Sequence, residues 1–383
     1  MRFRTLPLLC VLTAVACLCV SVAIAQDAKD YVPKPGEFPP PNSGQYMAGE
    51  LVMVDPINRR GGLRLDGDRN LDKYDKADAL RFSMLPYGAI WYHGAPAELR
   101  DVPIGTHLHG YFYLPPEGDK SIPPPLGPPQ YVPKQNHPIS LEDDFSFYQR
   151  RGQAWKVVSI DLKAGKLQVV SIGTAAADGL NGERSFDIDR STRVWKGRES
   201  AELEAIAPEQ IVQVNATWAP EWPIRQFHCA DIWLDKASLD VATERQRQAH
   251  VRYQHNHWLP GWVDHVKHED GGHGSVTLTL FGGMDPTLYD DIRAKAKTTG
   301  FSVAVAEKTL RTYNHSSDSR GGPVLELKEI ANPPLGSSGI QLHVQIHGEL
   351  LEGYRPGRII RVAPHDWPRI VLPAEERAKS RDD

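Results

Sequence analysis

Histidine is the reactive side chain that this sequence concentrates, with 15 in the chain, and the sharpest pair is His107-x-His109. In a strand, residues i and i+2 point the same way, so these two imidazoles share a face. Such a pair supplies two nitrogens to Zn²⁺ or Cu²⁺ once a third ligand approaches from elsewhere in the fold. A second group comprises His250, His255, His257, His265, His268 and His273, with Glu269 and Asp270 among them and His228-Cys229 not far upstream. One reading is therefore a metal site drawn from His107, His109, His250, His255 and His257, holding zinc or copper. Against it, the spacing matches no standard site: there is no H-E-x-x-H and no cysteine pair. The competing reading is a set of solvated or hydrogen-bonded histidines around a helix end and a hairpin. The letters His255-Asn256-His257 also spell a nuclease signature, but the ββα-metal unit which that chemistry requires is not visible.

Other chemistries find less support. Ser200 and Ser275 lie in turns without a G-x-S-x-G elbow. Gly271-Gly272-His273-Gly274 sits between strands and opens no helix, so it reads as a hairpin turn and not as a phosphate loop. The acidic pairs Asp143-Asp144 and Asp290-Asp291 read as helix-start or surface charges. No catalytic or cofactor-binding residue is assigned. Tyr92, Tyr111 and Tyr113 could line an exposed platform for sugar or peptide, the working surface of OB-like barrels. The alternative is that they pack against a proline-rich spacer or a neighbouring module.

The elements that must position these residues follow from an internal repeat. The stretch Leu51 to Tyr113 recurs, read without a gap, 104 residues later. Met53, Gly61, Phe82, Ile90, Trp91, Leu108 and Phe112 are answered by Val157, Gly165, Phe186, Val194, Trp195, Val212 and Ala216. A period this long marks a domain repeat and not a solenoid turn. It also sorts the faces. Leu108 and Phe112 belong to the shared apolar series, whereas His107, His109 and Tyr111 correspond to Ile211, Gln213 and Asn215, which places the histidines on the outer, mixed side.

Within the first copy, Glu50 to Asp55, Gly62 to Asp66, Ala79 to Leu85, Ala89 to His93 and Thr106 to Leu114 read as strands separated by Gly- and Pro-bearing turns. Residues 115 to 138 contain nine prolines and form a stiff spacer. Ser140 to Asp143 reads as a capping box opening a short helix to about Arg150. Ser238 to about Gln254 reads as a second helix, with Leu239, Ala242, Ala249 and Tyr253 near one face, ended by Pro260-Gly261. A looser third copy follows from Trp262: Gly274 to Leu280 as second strand, Phe301 to Val305 as third, Leu310 to Tyr313 as fourth, and Ile340 to Ile346 or Arg358 to Val362 as last. Pro286 to Lys297 is an inserted helix and His315 to Pro323 an inserted polar loop. The expected fold is mainly β, three small five-stranded barrels of OB or SH3 type in tandem with short connecting helices. The expected division is a leader (1–25), a Pro-rich lead-in (26–48), module 1 (49–114), a linker (115–139), helix plus module 2 (140–234), helix plus module 3 (235–372) and a charged tail (373–383).

Leu99-Arg-Asp-Val-Pro-Ile-Gly-Thr-His-Leu-His-Gly110 resembles the closing segment of small β-barrel repeats found in uncharacterised bacterial exported proteins, and the similarity extends over modules 1 and 2 and part of 3. It implies a barrel and export, and it carries no active-site residues to transfer. The second copy departs from the motif, with Ala205 for Asp101 and Glu209 for Gly105.

The first residues support the same destination. Met-Arg-Phe-Arg, an apolar run from Leu6 to Ala25 and Ala23-Ile24-Ala25 before Gln26 have the layout of a cleaved export signal. An uncleaved anchor is the rival reading of that run. Of four cysteines, Cys10, Cys17 and Cys19 lie in the leader, leaving Cys229 with no disulfide partner. Net charge is −4, so no basic footprint for nucleic acid exists. The functional expectation is an exported, non-enzymatic binding or structural protein of the bacterial envelope, in the periplasm or at the cell surface, with polysaccharide or protein as partner. The first alternative is a periplasmic zinc- or copper-binding protein, and the second a hydrolase of envelope polymers.

Overall fold

The computed structural model describes residues 31–66, 79–116, 118, 122–127, 135–173, 182–218, 227–307, 312–313, 319–348 and 352–367. The leader, the charged tail, residues 310–311 of the expected strand Leu310 to Tyr313 and residues 315–318 of the expected polar loop lie outside the described residues. The chain is mainly β and forms two closed barrels, of five and six strands, and one open sheet. Among the described residues no helix is long and apolar enough to cross a membrane.

The first module holds β1 (Gln45–Asp55), β2 (Arg60–Leu65), β3 (Leu80–Ser83), β4 (Ala89–Tyr92), β5 (Ala95–Ala97), β6 (His107–Tyr113) and β7 (His137–Asp143), followed by α1 (Asp144–Arg150). They make an open sheet ordered β3-β2-β1-β6-β7-β4-β5. The five expected strands are all present, and two more join them. One is β5, a short return paired with β4; the other is β7, which comes from beyond the prolines. Ser140 to Asp143 is thus the end of a strand, a correction to the expected capping box, and module 1 does not end at residue 114. β7 pairs antiparallel with β6 and parallel with β4, so its backbone groups are satisfied on both sides, which outweighs a local helix-start signal. The helix begins one residue later, with the Asp143 side chain accepting from Ser146 N.

The second module repeats this plan with β8 (Gln153–Asp161), β9 (Lys166–Gly173), β10 (Glu183–Asp187), β11 (Arg193–Lys196), β12 (Glu199–Ala201), β13 (Ile211–Trp218) and β14 (Phe227–Trp233), then α2 (Lys236–His257). The order β10-β9-β8-β13-β14-β11-β12 is the same, and a parallel β10–β14 pairing closes five of the strands into a barrel. Phe82 pairs with Gly61 and Phe186 with Leu167; Trp91 and Trp195 hold the same place beside β7 and β14. The register corrects the gapless repeat. A bulge follows Leu51 in β1 and Val157 in β8, so the first hairpin recurs at 106 residues, whereas Phe82 to Phe186 and Leu108 to Val212 recur at 104. The counterpart of Met53 is therefore Ser159, and that of Gly61 is Leu167. A slip of two residues keeps every inward side chain inward, which is why apolar alternation alone does not register it.

The third module comprises β15 (Leu259–Glu269), β16 (His273–Phe281), α3 (Pro286–Lys295), β17 (Gly300–Glu307), β18 (Thr312–Tyr313), β19 (Ser319–Glu329), β20 (Ser337–His347) and β21 (Ile359–Pro364). Six strands close in the order β17-β19-β20-β16-β15-β21 through a β17–β21 pairing. The middle differs from the other modules: β16 neighbours β20, and Phe301 to Val305 lies between β19 and β21 instead of beside the second strand. Residues 319–323, expected in a loop, begin β19.

What recurs three times is the joint between the first strand of each module (β1, β8, β15) and the strand paired beside it (β6, β13, β21). Gly105 N, Glu209 N and Gly357 N donate at 2.8 Å to the carbonyls of Leu51, Val157 and Val263. All three donors have positive φ (97°, 69° and 77°), and each follows a short 3-10 turn. Glu209 adopts this left-handed conformation despite its Cβ, with its carboxylate on Lys156 at 3.1 Å.

The cores follow the repeat: Leu51, Leu63, Phe82, Leu108 and Phe112 in one module, Val157, Val169, Phe186, Val212 and Ala216 in the next. A further cluster joins modules 1 and 3 through Tyr87, Tyr113, Ile139, Trp262 and Phe281, with Phe38 of the lead-in packed against it. The lead-in is therefore docked from Tyr31 onward, and its residues from Gln45 are already in β1. Helix α2 buries a polar stripe, Ser238, Gln246, His250 and Gln254, and not the expected Leu239 to Tyr253 face. The reason is its partner: Gln246 donates to Pro96 O and Asp101, and Gln254 to Glu98, all from module 1.

Candidate functional site

The outer face of β6 carries His107 and His109, as the repeat indicates, but α1 and β13 cover it. The two imidazoles are 4% and 1% exposed. The residue that meets them is Asp144, the first of α1, itself 3% exposed. His107 Nδ1 lies 2.8 Å and His109 Nε2 2.9 Å from the same Asp144 Oδ1, while Ala216 N of β13 donates to Oδ2 at 2.7 Å. The outer ring nitrogens are also engaged: His107 Nε2 with Asp66 at 2.9 Å, His109 Nδ1 with the Tyr46 hydroxyl at 2.7 Å. Phe147 stacks on the His109 ring at 3.8 Å.

One proton assignment satisfies every atom. His107 as imidazolium donates to both carboxylates; His109 as neutral imidazole donates from Nε2 and accepts from Tyr46. The electrostatics agree. Burial lowers the His107 pKa, but the charges of Asp144 and Asp66 and their hydrogen bonds outweigh it and hold the group well above its ordinary value. Burial also lowers His109, and the neighbouring His107 charge adds to this, so the second imidazole stays neutral. The Asp144 carboxyl, pushed up by burial, is held well below the usual range by His107 and the two imidazole hydrogen bonds.

Asp143 beside it does the complementary work. Its carboxylate accepts from Ser146 N, from His93 N at 3.0 Å and from Asn215 Nδ2 at 2.9 Å, while burial raises its pKa to about 6. The pair Asp143-Asp144, expected as helix-start or surface charges, is a helix start that is buried between two modules.

Among the described residues, His107, His109 and Asp144 are the one set of three or more metal-type donors that converge. The other expected ligands lie elsewhere. His250 is buried on α2, with its Nε2 accepting from Asp285 N at 3.4 Å; His255 packs at 4.8 Å from Trp367; His257 stacks on Tyr253. His265, His268 and His273, with Glu269 and Asp270, are exposed on the β15–β16 hairpin. Cys229 is buried in the module 2 core, where burial pushes its thiol well up.

The tyrosine platform divides. Tyr113 is buried in the junction of modules 1 and 3, and Tyr92 is buried against His93, leaving Tyr111 exposed. Tyr111 and Tyr113, with Tyr87 and Trp91, line a cleft of about 520 Å³ between module 1 and the Pro333 to Ser337 turn of module 3. There the Arg150 guanidinium stacks 3.9 Å over the Trp91 ring, and Glu142 is held by Arg150 at 3.1 Å and Arg151 at 3.0 Å. Tyr92 lines a second cleft, of about 310 Å³, with Trp195, Trp233, Arg193 and Arg245. Trp195 donates there to Asp231 at 2.8 Å.

Three signals were hidden in the sequence. Asp144 reads as an ordinary helix start, Asp66 as the end of a strand and Arg150 as the end of a helix. Compared with protein-family models, with curated proteins and with solved structures, the chain has no match.

Proposed function

We propose that this chain is an exported, non-enzymatic binding protein of the bacterial cell envelope, and that its ligand face is the cleft between modules 1 and 3. The observation that carries this reading is the cleft itself, which sets Trp91, Tyr111 and Tyr113 beside two arginines that share one carboxylate. Aromatic faces with flanking charged hydrogen-bond donors suit saccharide rings, which present apolar faces and polar edges. Two guanidinium groups against the single carboxylate of Glu142 leave the rim net positive, which favours an acidic glycan. Glu142, gripped from two sides, is poorly placed to act as a general acid or base, which weighs against the hydrolase alternative.

An OB-like description of the small barrels is part of the same proposal. The five strands closed by a parallel β10–β14 pairing fit it, and barrels of that kind serve as oligosaccharide and oligonucleotide modules. The test is a glycan array with the mature chain, followed by intrinsic fluorescence titration of any bound envelope polysaccharide. Binding that is lost in Trp91→Ala and Tyr111→Ala supports the reading. A wild-type chain that retains no glycan, or variants that bind as well as the wild type, overturns it.

A further inference from the structure

We infer that His107, His109 and Asp144 form a buried site for a divalent transition-metal ion of zinc type, which ties β6 of module 1 to the start of α1, whose Phe147 and Tyr148 pack in the module 2 core. This inference is independent of the proposed glycan cleft and uses none of its residues.

Three observations carry it. First, the donor set converges: two imidazole nitrogens and one carboxylate oxygen lie within 4.8 Å of one another, from two strand positions and one helix start. A zinc ion with ligands at about 2.0–2.1 Å sets tetrahedral donors roughly 3.3 Å apart. The two histidine–aspartate separations, 2.8 and 2.9 Å, need to open by only a few tenths of an ångström, while the imidazoles close on each other. Secondly, both imidazoles already have the outer partners that metal-bound histidines use. Asp66 holds His107 through Nε2, and Tyr46 holds His109 through Nδ1, which aims the opposite nitrogen of each ring at Asp144. Thirdly, the charge balances. With both imidazoles binding as neutral ligands, the two positive charges of the ion face the two carboxylates of Asp144 and Asp66, and the buried cluster is neutral, which low-polarity surroundings favour.

The site has an entrance. Asp66 is one-third exposed and touches His107 on the side away from Asp144, so the cluster reaches solvent there. The softness of the donors favours Zn²⁺ or Cu²⁺ over Mg²⁺ or Ca²⁺, which prefer all-oxygen shells. His250, His255 and His257 take no part, since α2 places them in other surroundings.

The test begins with the mature chain purified without a metal-affinity tag, its metal content measured by mass spectrometry. The expected result is about one zinc per chain, lost in His107→Gln/His109→Gln and kept in His250→Gln/His255→Gln. Because the first variant removes buried hydrogen bonds and can fail to fold, the wild type is also stripped with EDTA and titrated. Refilling should raise the melting temperature. Cobalt in place of zinc should give the visible absorption of a four-coordinate ion, with one water completing the three side-chain ligands. A wild-type chain that takes up no metal from excess Zn²⁺, with unchanged melting temperature and no cobalt spectrum, overturns the inference.

Discussion

Asp144 and Asp235 both lie just past the strand that runs beside the repeated tryptophan, Asp144 as the first residue of α1 and Asp235 as the N-cap of α2, and they lead opposite lives. Asp235 is the half-exposed N-cap of α2, accepting from Ser238 N at 2.8 Å and from Gly197 N. Asp144 is buried and accepts from two histidines and from a backbone amide of the other module. The facing strands differ in step: β6 offers His107 and His109 where β13 offers Ile211, which is 56% exposed, and Gln213. Inward positions shared by the two modules build each core, and outward positions that they do not share decide how the modules are joined.

Removing the carboxylate from each position should separate the two roles. Asp144→Ala leaves two buried imidazoles and the Ala216 amide without their acceptor, and should cost about 3–5 kcal/mol in chemical denaturation. A loss below about 1 kcal/mol would mean that the cluster does not hold the modules together. Acid sensitivity sharpens the contrast between histidines with and without a carboxylate. His93 and His250 are depressed to about 4 by burial, so they stay neutral in the fold while the unfolded chain takes up protons. Their contribution is present above about pH 6.5 and is lost as pH falls toward 4, on the order of 2 kcal/mol each by pH 4.5. His93→Asn, which keeps a residue tolerant of the positive φ at that position, combined with His250→Gln should flatten the acid limb of a melting-temperature profile; an unaltered limb refutes the assignment. Asp235→Ala should cost only about 1 kcal/mol, the usual worth of an N-cap, and a loss as large as that of Asp144→Ala would erase the distinction. Arg150→Ala, which uncovers Trp91, should cost roughly 0.5–1 kcal/mol. No such effect is expected from removing a surface arginine beside Trp195, whose indole is fixed by Asp231; equal losses at the two tryptophans would show that the stacking is not particular to module 1.

Much of the architecture was legible in the chain. Leu108 and Phe112 against Val212 and Ala216 marked the inward face of β6 and β13, and thereby placed His107 and His109 together on the opposite one. Pro286 marked the start of α3. These readings succeed because they depend on periodicity and capping, which act within a few residues. The two-residue slip of the first hairpin was not legible, because alternation has period two and is blind to it. Nor was the strand nature of Ser140 to Asp143, whose letters satisfy a helix cap equally well and whose partners, β4 and β6, lie across a run of prolines.

The amino-acid order by itself determined a repeated sheet unit and two imidazoles on one side of its last strand, since alternating side chains leave that strand no other arrangement. Only the tertiary structure decided that this side is closed, that Asp144 closes it and that Tyr92, Tyr111 and Tyr113 part company. The reason is that covering a strand face requires a partner surface brought from far along the chain, and nothing in the local pattern of either surface specifies the other.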